Sequence, residues 1–137
     1  MNKLRIAIIG AGQFSSSFIH LFQAHPMVQE VGLVEPNNER RAAVAEQFDI
    51  KQSFDSLEKL WHSDFNAVAI FTPRWTHAQI SLDALKNGRH VYTAVPMGIT
   101  PEEVTQLVDV ASKTKLTYFM AETSYYYPAV VFSRQKF

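Results

Sequence analysis

A chain of 137 residues that is 47% hydrophobic and 19% charged has the composition of one ordinary globular domain, long enough for a real core. Its 13 basic and 13 acidic side chains cancel, which removes the electrostatic footprint of a nucleic-acid or anionic-membrane binder. With no cysteine there is no disulfide, thiolate nucleophile or cysteine-held metal; no apolar run approaches the ~20 residues of a membrane span and no signal-like segment opens the chain, so the expected setting is cytoplasmic.

Leu4 to Ile9 is an apolar run that reads as a strand buried on both faces, and it stops at Gly10-Ala11-Gly12. From Phe14 the apolar positions take helical spacing: Phe14, Phe18, Leu21, Phe22. Strand, glycine turn and helix form the context in which G-x-G signals dinucleotide binding. Gly10 makes the turn and Gly12 lets the backbone approach a pyrophosphate. The helix N-terminus, with Gln13 and Phe14 in its first turn, favours the anion through free N–H groups and its dipole. Ser15 stands at the third glycine position of the fingerprint and is small enough for fairly close helix–sheet packing.

Ala24-His25-Pro26 breaks the helix, and Val31 to Val34 reads as the second strand. Glu35 ends it, about 20 residues past the glycine turn, where a dinucleotide fold places the acid for the adenosine ribose hydroxyls. The alternative is a helix-opening carboxylate, since Pro36-Asn37-Asn38-Glu39 starts the next helix, from about Asn38 to Phe48. Arg40 and Arg41 in that helix either hold a 2′-phosphate or lie on a solvated face. Glu35 would repel such a phosphate, so NAD is the expected cofactor and NADP the weaker candidate.

Ile50 to Phe54 is a short connection or minor strand, and Asp55-Ser56 opens a short helix with Leu57, Leu60 and Trp61 inward. Ala67 to Phe71 is a further doubly buried strand ending in Thr72-Pro73, followed by a helix from about Trp75 to Asn87 that Gly88 closes. His90 to Thr93 is a strand. Thr100 and Pro101 supply an N-cap and an N1 proline to a helix with Val104, Leu107, Val108 and Ala111 inward, and Leu116 to Ala121 is the last strand. The alternation predicts an α/β fold, a parallel doubly wound sheet with helices on both faces. Its ligand is expected across the carboxyl ends of the strands at Gly10, Glu35, Thr72 and Ala94.

Gly10-Ala11-Gly12, then Thr72-Pro73-Arg74-Trp75-Thr76-His77, then Asn87-Gly88-Arg89-His90-Val91 resemble, in this order, the amino-terminal domain of the glucose–fructose oxidoreductase / inositol dehydrogenase (Gfo/Idh/MocA) family. The resemblance implies a Rossmann-like NAD(P)-binding domain over residues 1–122 and an oxidoreductase acting on an alcohol or sugar-like substrate. It also implies a second domain, an open antiparallel sheet that builds the substrate pocket and often the oligomer interface. Residues 123–137 then read as the start of the connection to it, and the 137-residue chain alone is expected to turn over no substrate and to self-associate.

On that resemblance Thr72, Pro73, Trp75, His77, Ala94 and Val95 join Gly10, Gly12, Gln13, Phe14 and Glu35 as candidate cofactor-binding residues. The departures bear on catalysis. Ala94-Val95-Pro96 stands where the family has Glu-Lys-Pro, so the lysine usually assigned to proton transfer or substrate orientation is Val95 here. Arg74 replaces an asparagine, and Thr123-Ser124-Tyr125 replaces an Asn-x-Arg. His77 is the remaining candidate acid or base, against the reading of an ordinary structural histidine. Tyr125, Tyr126 and Tyr127 either reach a substrate pocket or are interface aromatics. His20, His25, His62 and His90 lack metal-ligand spacing, and no metal is expected. The rival reading is a non-catalytic NAD-binding or interaction module that has lost turnover. A methyltransferase-like use of the glycine turn is a third, against which the Thr72-to-His77 stretch argues.

Overall fold

The apolar runs sort by residue parity. In β1 (Leu4–Ile9), Ala7 and Ile9 join one buried cluster while Ile6 and Ile8 join another. In β4 (Ala67–Ile70), Val68 and Ile70 go with the first, and Ala67 and Ala69 with the second. A period of two with apolar residues at every position is the mark of a strand covered on both sides. The computed structural model describes residues 3–136. With β2 (Val28–Val34), β3 (Ser53–Phe54), β5 (His90–Ala94) and β6 (Tyr118–Ala121), these strands form one sheet in the order β3-β2-β1-β4-β5-β6. Every pairing is parallel. Helices α1 (Gln13–Ala24) and α2 (Asn38–Gln47) pack Ile19 and Val44 on one face. Helices α3 (Leu57–Trp61), α4 (His77–Lys86) and α5 (Pro101–Ser112) pack Leu60, Leu82 and Leu107 on the other. This is the doubly wound Rossmann-like α/β fold that the strand–helix alternation predicts.

Local chemistry sets the helix ends. Thr100 and Glu103 form a reciprocal capping box ahead of Pro101, and Gly88 closes α4 at a left-handed φ of +74°. A final helix, α6 (Pro128–Lys136), follows a single 3₁₀ turn at Thr123–Tyr126.

Some expected boundaries and facings shift. Strand β2 starts at Val28, not Val31, because Val28 and Glu30 pair with Leu4 and Arg5, and Arg5 bonds Glu30 at 2.7 Å. Ladder bonds extend a strand without apolar side chains. Strand β6 starts at Tyr118, not Leu116: the Thr117 N–H donates to the His90 side chain of β5, at Nδ1 and 2.9 Å, and not to a backbone carbonyl of the ladder. The helix expected from Trp75 begins as a 3₁₀ turn, Arg74–Thr76, held by Thr76 Oγ1 donating to the Pro73 carbonyl, and becomes α-helical at His77. Val108 is exposed and Val110 packs on the core in its place. In α1, Ser15 and Ile19 are buried while Phe14 and Leu21 are exposed, so the stripe facing the sheet lies beside the aromatic one.

Between α4 and β6 the hydroxyls of Ser81 and Tyr118 are buried without a hydrogen-bond partner among the described residues. Burial pushes the Tyr118 phenol from 10 up to about 12. A raised folded-state pKa gives stability that is complete below pH 10 and lost as the pH rises through 12. Tyr118→Phe removes a buried hydroxyl that faces Ser81 without a well-formed hydrogen bond. It is therefore expected to leave stability at neutral pH unchanged or raised by up to about 1 kcal/mol, and to flatten the alkaline loss. Urea melts of both proteins at neutral pH and above pH 10 check this; a destabilised, still alkali-sensitive variant would contradict it.

Candidate functional site

The sheet order reverses between β1 and β4, and the residues that follow these strands meet at the carboxyl edge. Gly10 leaves β1 at a φ of +97°, and its N–H donates to the Val34 carbonyl at 2.9 Å. A Cβ at Gly10 would lie 3.2 Å from the Phe71 carbonyl oxygen and 3.3 Å from Thr72 Cγ2. The turn is thus wedged against the end of β4, and both the dihedral and the space require glycine.

Gly12 is different. It is the N-cap of α1, offers no side-chain cap, and a Cβ there would meet no protein atom within 4 Å. The protein's own packing makes no demand for glycine at this position. Ser15, fully buried, donates from Oγ to the Gly12 carbonyl at 2.7 Å and lets α1 sit close on the sheet. Gln13 and Phe14 are exposed in the first turn.

Glu35 follows β2 and is buried to 7% exposure. Its Oε2 accepts the Ala11 N–H at 3.1 Å and its Oε1 the Asn37 N–H at 3.0 Å, so the carboxylate is tied to the glycine turn on one side and to the start of α2 on the other. Arg41 donates to the Glu35 carbonyl and to Asn38 Oδ1, both at 2.7 Å. Arg40 stays largely exposed, with Nη1 3.9 Å from Glu35 Oε2.

Thr72 Oγ1 meets Thr76 Oγ1 at 2.6 Å, which stiffens the turn carrying Pro73, Arg74 and the 64%-exposed Trp75. His77 points inward: it is 2% exposed, with Nδ1 2.8 Å from the Pro96 carbonyl oxygen and Nε2 2.8 Å from that of Thr72. Both ring nitrogens are turned to backbone acceptors. At the end of β5, Ala94 and the next residue, Val95, line a cleft of about 100 Å³ with Phe14, Phe71, Tyr92 and Thr123. The Val95–Pro96 peptide is cis. Rings floor this cleft: Phe14 on Phe71 at 5.8 Å, Phe18 stacked on Phe71 at 5.1 Å, and Tyr92 5.9 Å from Phe71.

Gly10, Glu35, Thr72 and Ala94 therefore share one edge, and Phe14 meets Ala94 and Val95 across one cleft. Trp75 and His77 lie outside its lining. The walls Phe71 and Tyr92 are not among the residues expected from the sequence. Register makes Ala69 the partner of Tyr92, and the two-residue period then puts Phe71, Tyr92 and Ala94 on one face. In the tail, Tyr125, Tyr126 and Tyr127 are exposed, and the Arg134 guanidinium covers the Tyr125 ring at 3.8 Å.

Residues 4–122 match the family described as "Oxidoreductase family, NAD-binding Rossmann fold" (GFO_IDH_MocA). The chain belongs to the Gfo/Idh/MocA oxidoreductase family. The matched span is the family's NAD(P)-binding Rossmann domain. Among its relatives, glycosyl hydrolase family 109 protein 1 of Shewanella sp. (strain MR-4) is 28% identical over 138 residues, covering 92% of this chain and 30% of its own length. The structure of the WlbA dehydrogenase from Bordetella pertussis, in complex with NADH and UDP-GlcNAcA, superposes with a TM-score of 0.90 at 20% identity, over 98% of this chain and 41% of that one. UDP-N-acetylglucosamine 3-dehydrogenase GnnA from Acidithiobacillus ferrooxidans is 26% identical with a TM-score of 0.83, over 99% of this chain and 44% of that one. This Gfo/Idh/MocA chain spans about a third of the length of the curated relative it matches. Among the described residues no helix is long and apolar enough to cross a membrane.

Proposed function

We propose that this chain is the dinucleotide-holding part of an NAD-dependent oxidoreductase acting on an alcohol or sugar-like substrate. Gly12 carries the reading: a bare Cα at an uncapped helix N-terminus, with nothing of the protein beside it, is a cradle that a Cβ would fill. The free N–H groups of the first turn of α1 suit a pyrophosphate there. The Glu35 carboxylate, fixed by two N–H donors, keeps lone pairs for ribose hydroxyls. The apolar cleft beside Val95 suits a nicotinamide ring, which when bound supplies the hydride chemistry. The chain's own residues bind, orient and exclude water on one side of that ring. Sugar derivatives recur in the names of the relatives, which supports a sugar-like substrate.

Glu35 also supports NAD over NADP, since a 2′-phosphate beside a buried carboxylate is repelled and Arg41 is already engaged by backbone and Asn38. Titration at fixed ionic strength is expected to show NADH binding at least about tenfold tighter than NADPH, and Glu35→Gln is expected to narrow that ratio. Tighter NADPH binding, or an unchanged ratio in Glu35→Gln, would overturn the preference.

Val95 favours a second reading, a dinucleotide-binding module without turnover. A valine transfers no proton, and the buried His77 ring is turned to two carbonyls. A panel of polyols, inositols and sugars with NAD, followed by NADH absorbance on the longest natural form of the protein, separates the two readings.

A further inference from the structure

The loop after β5 forms one wall of the apolar cleft through Val95. Among the described residues a single hydrogen-bond contact reaches Val95, Pro96, Met97 or Gly98, and it is His77 Nδ1 to the Pro96 carbonyl at 2.8 Å. The opposite edge of the same ring reaches the Thr72 carbonyl at 2.8 Å, at the start of the Thr-Pro turn. An imidazole is rigid and carries polar atoms on opposite edges, so the distance between its two contacts is fixed by the ring. A neutral imidazole donates to one of the two carbonyl oxygens and an imidazolium to both, whereas an aliphatic side chain donates to neither and spans no such distance.

We propose that His77 is a positioning residue: from inside the fold it ties the Thr72 turn to the Val95–Gly98 loop and so sets the width of the nicotinamide end of the site. The proposal rests on the dinucleotide reading above and deepens it. It assigns His77 no contact with the cofactor and no proton transfer. It differs from an ordinary structural histidine in one respect, that its loss falls on one half of the cofactor. The adenosine half is served by Gly10, Gly12 and Glu35, whose bonds run to Val34, Ser15, Ala11 and Asn37 and do not involve His77.

The test uses ADP-ribose, which lacks the nicotinamide, beside NADH. Calorimetry on His77→Phe, which keeps a ring and loses both contacts, is expected to show NADH affinity lowered about tenfold or more and ADP-ribose affinity within about twofold of wild type. His77→Gln, keeping one donor, is expected to fall between. Equal losses for both ligands, or unchanged NADH affinity in His77→Phe, would overturn the proposal. Should the phenylalanine variant not fold, nitrogen-resolved NMR of the wild-type imidazole decides. Its ring N–H signal is expected to be protected from exchange and to shift with NADH but not with ADP-ribose. A freely exchanging ring, or one blind to NADH, would overturn it. A wild-type chain that binds neither probe would instead overturn the dinucleotide reading itself.

Discussion

Gly10→Ala is expected to destabilise the fold by about 2–3 kcal/mol and to lower dinucleotide affinity about a hundredfold, whereas Gly12→Ala is expected to lose the affinity alone. The two glycines are two residues apart, but the demands on them differ. At Gly10 an L side chain would take a φ of +97° and press within 3.2 Å of the Phe71 carbonyl oxygen, which belongs to backbone and cannot swing aside. At Gly12 the same methyl enters open space at an ordinary φ of −81°. Denaturant melts and NADH titrations of both variants check the contrast. A destabilised Gly12→Ala, or a Gly12→Ala that binds NADH as well as wild type, would contradict it.

The largest expected loss of stability from a single added methyl is at Gly32. A Cβ there would lie 2.5 Å from Phe65 Cζ and 2.8 Å from its Cε1. Phe65 has nowhere to retreat: it is fully buried, meets Phe54 edge-on at 5.8 Å and carries the Arg5 guanidinium 5.1 Å over its ring. Overpacking of this kind is expected to cost about 3 kcal/mol. Phe65→Ala alone, which empties a core site, is expected to cost about 3–5 kcal/mol. The pair should not add. Gly32→Ala with Phe65→Leu is expected to be less destabilised than the sum of its single changes, because the smaller side chain leaves room for the methyl. Additive losses in urea melts would show that the Gly32–Phe65 contact is not what the methyl offends.

The sheet was legible because its strands are buried on both faces, so Ile6 to Ile9 of β1 and all of β4 are unbroken apolar runs, with Arg5 the one charged residue at the start of β1. The carboxyl edge was legible through residues whose chemistry is local: a glycine turn, an acid one residue past a strand, a Thr-Pro after another. What escaped depends on partners far away in the chain. The start of β2 is set by its ladder with β1, not by its own apolarity. Val108 and Val110 both suit a helix interior, and only the lie of α5 on the sheet chooses Val110. Phe71 and Tyr92 become cleft walls through the register of β4 against β5. His77 was legible as a histidine near the edge, but its inward aim follows from a 3₁₀ turn that delays the start of α4 to His77 itself.

The sheet order also governs when the site comes into being. Each of β1–β2, β2–β3, β4–β5 and β5–β6 joins strands separated by a single helical crossover, so either half can close through short loops. The seam between the halves is another matter: Ile6 pairs with Ala67, and no shorter route joins β1 to β4. Loop-closure entropy modestly favours pairing within each half, so the seam is expected to close after the local halves have formed. Gly10 lies on one lip of the seam and Phe71 and Thr72 on the other. Neither half contains the crevice, so during folding the chain can first hold a dinucleotide at the moment the seam closes.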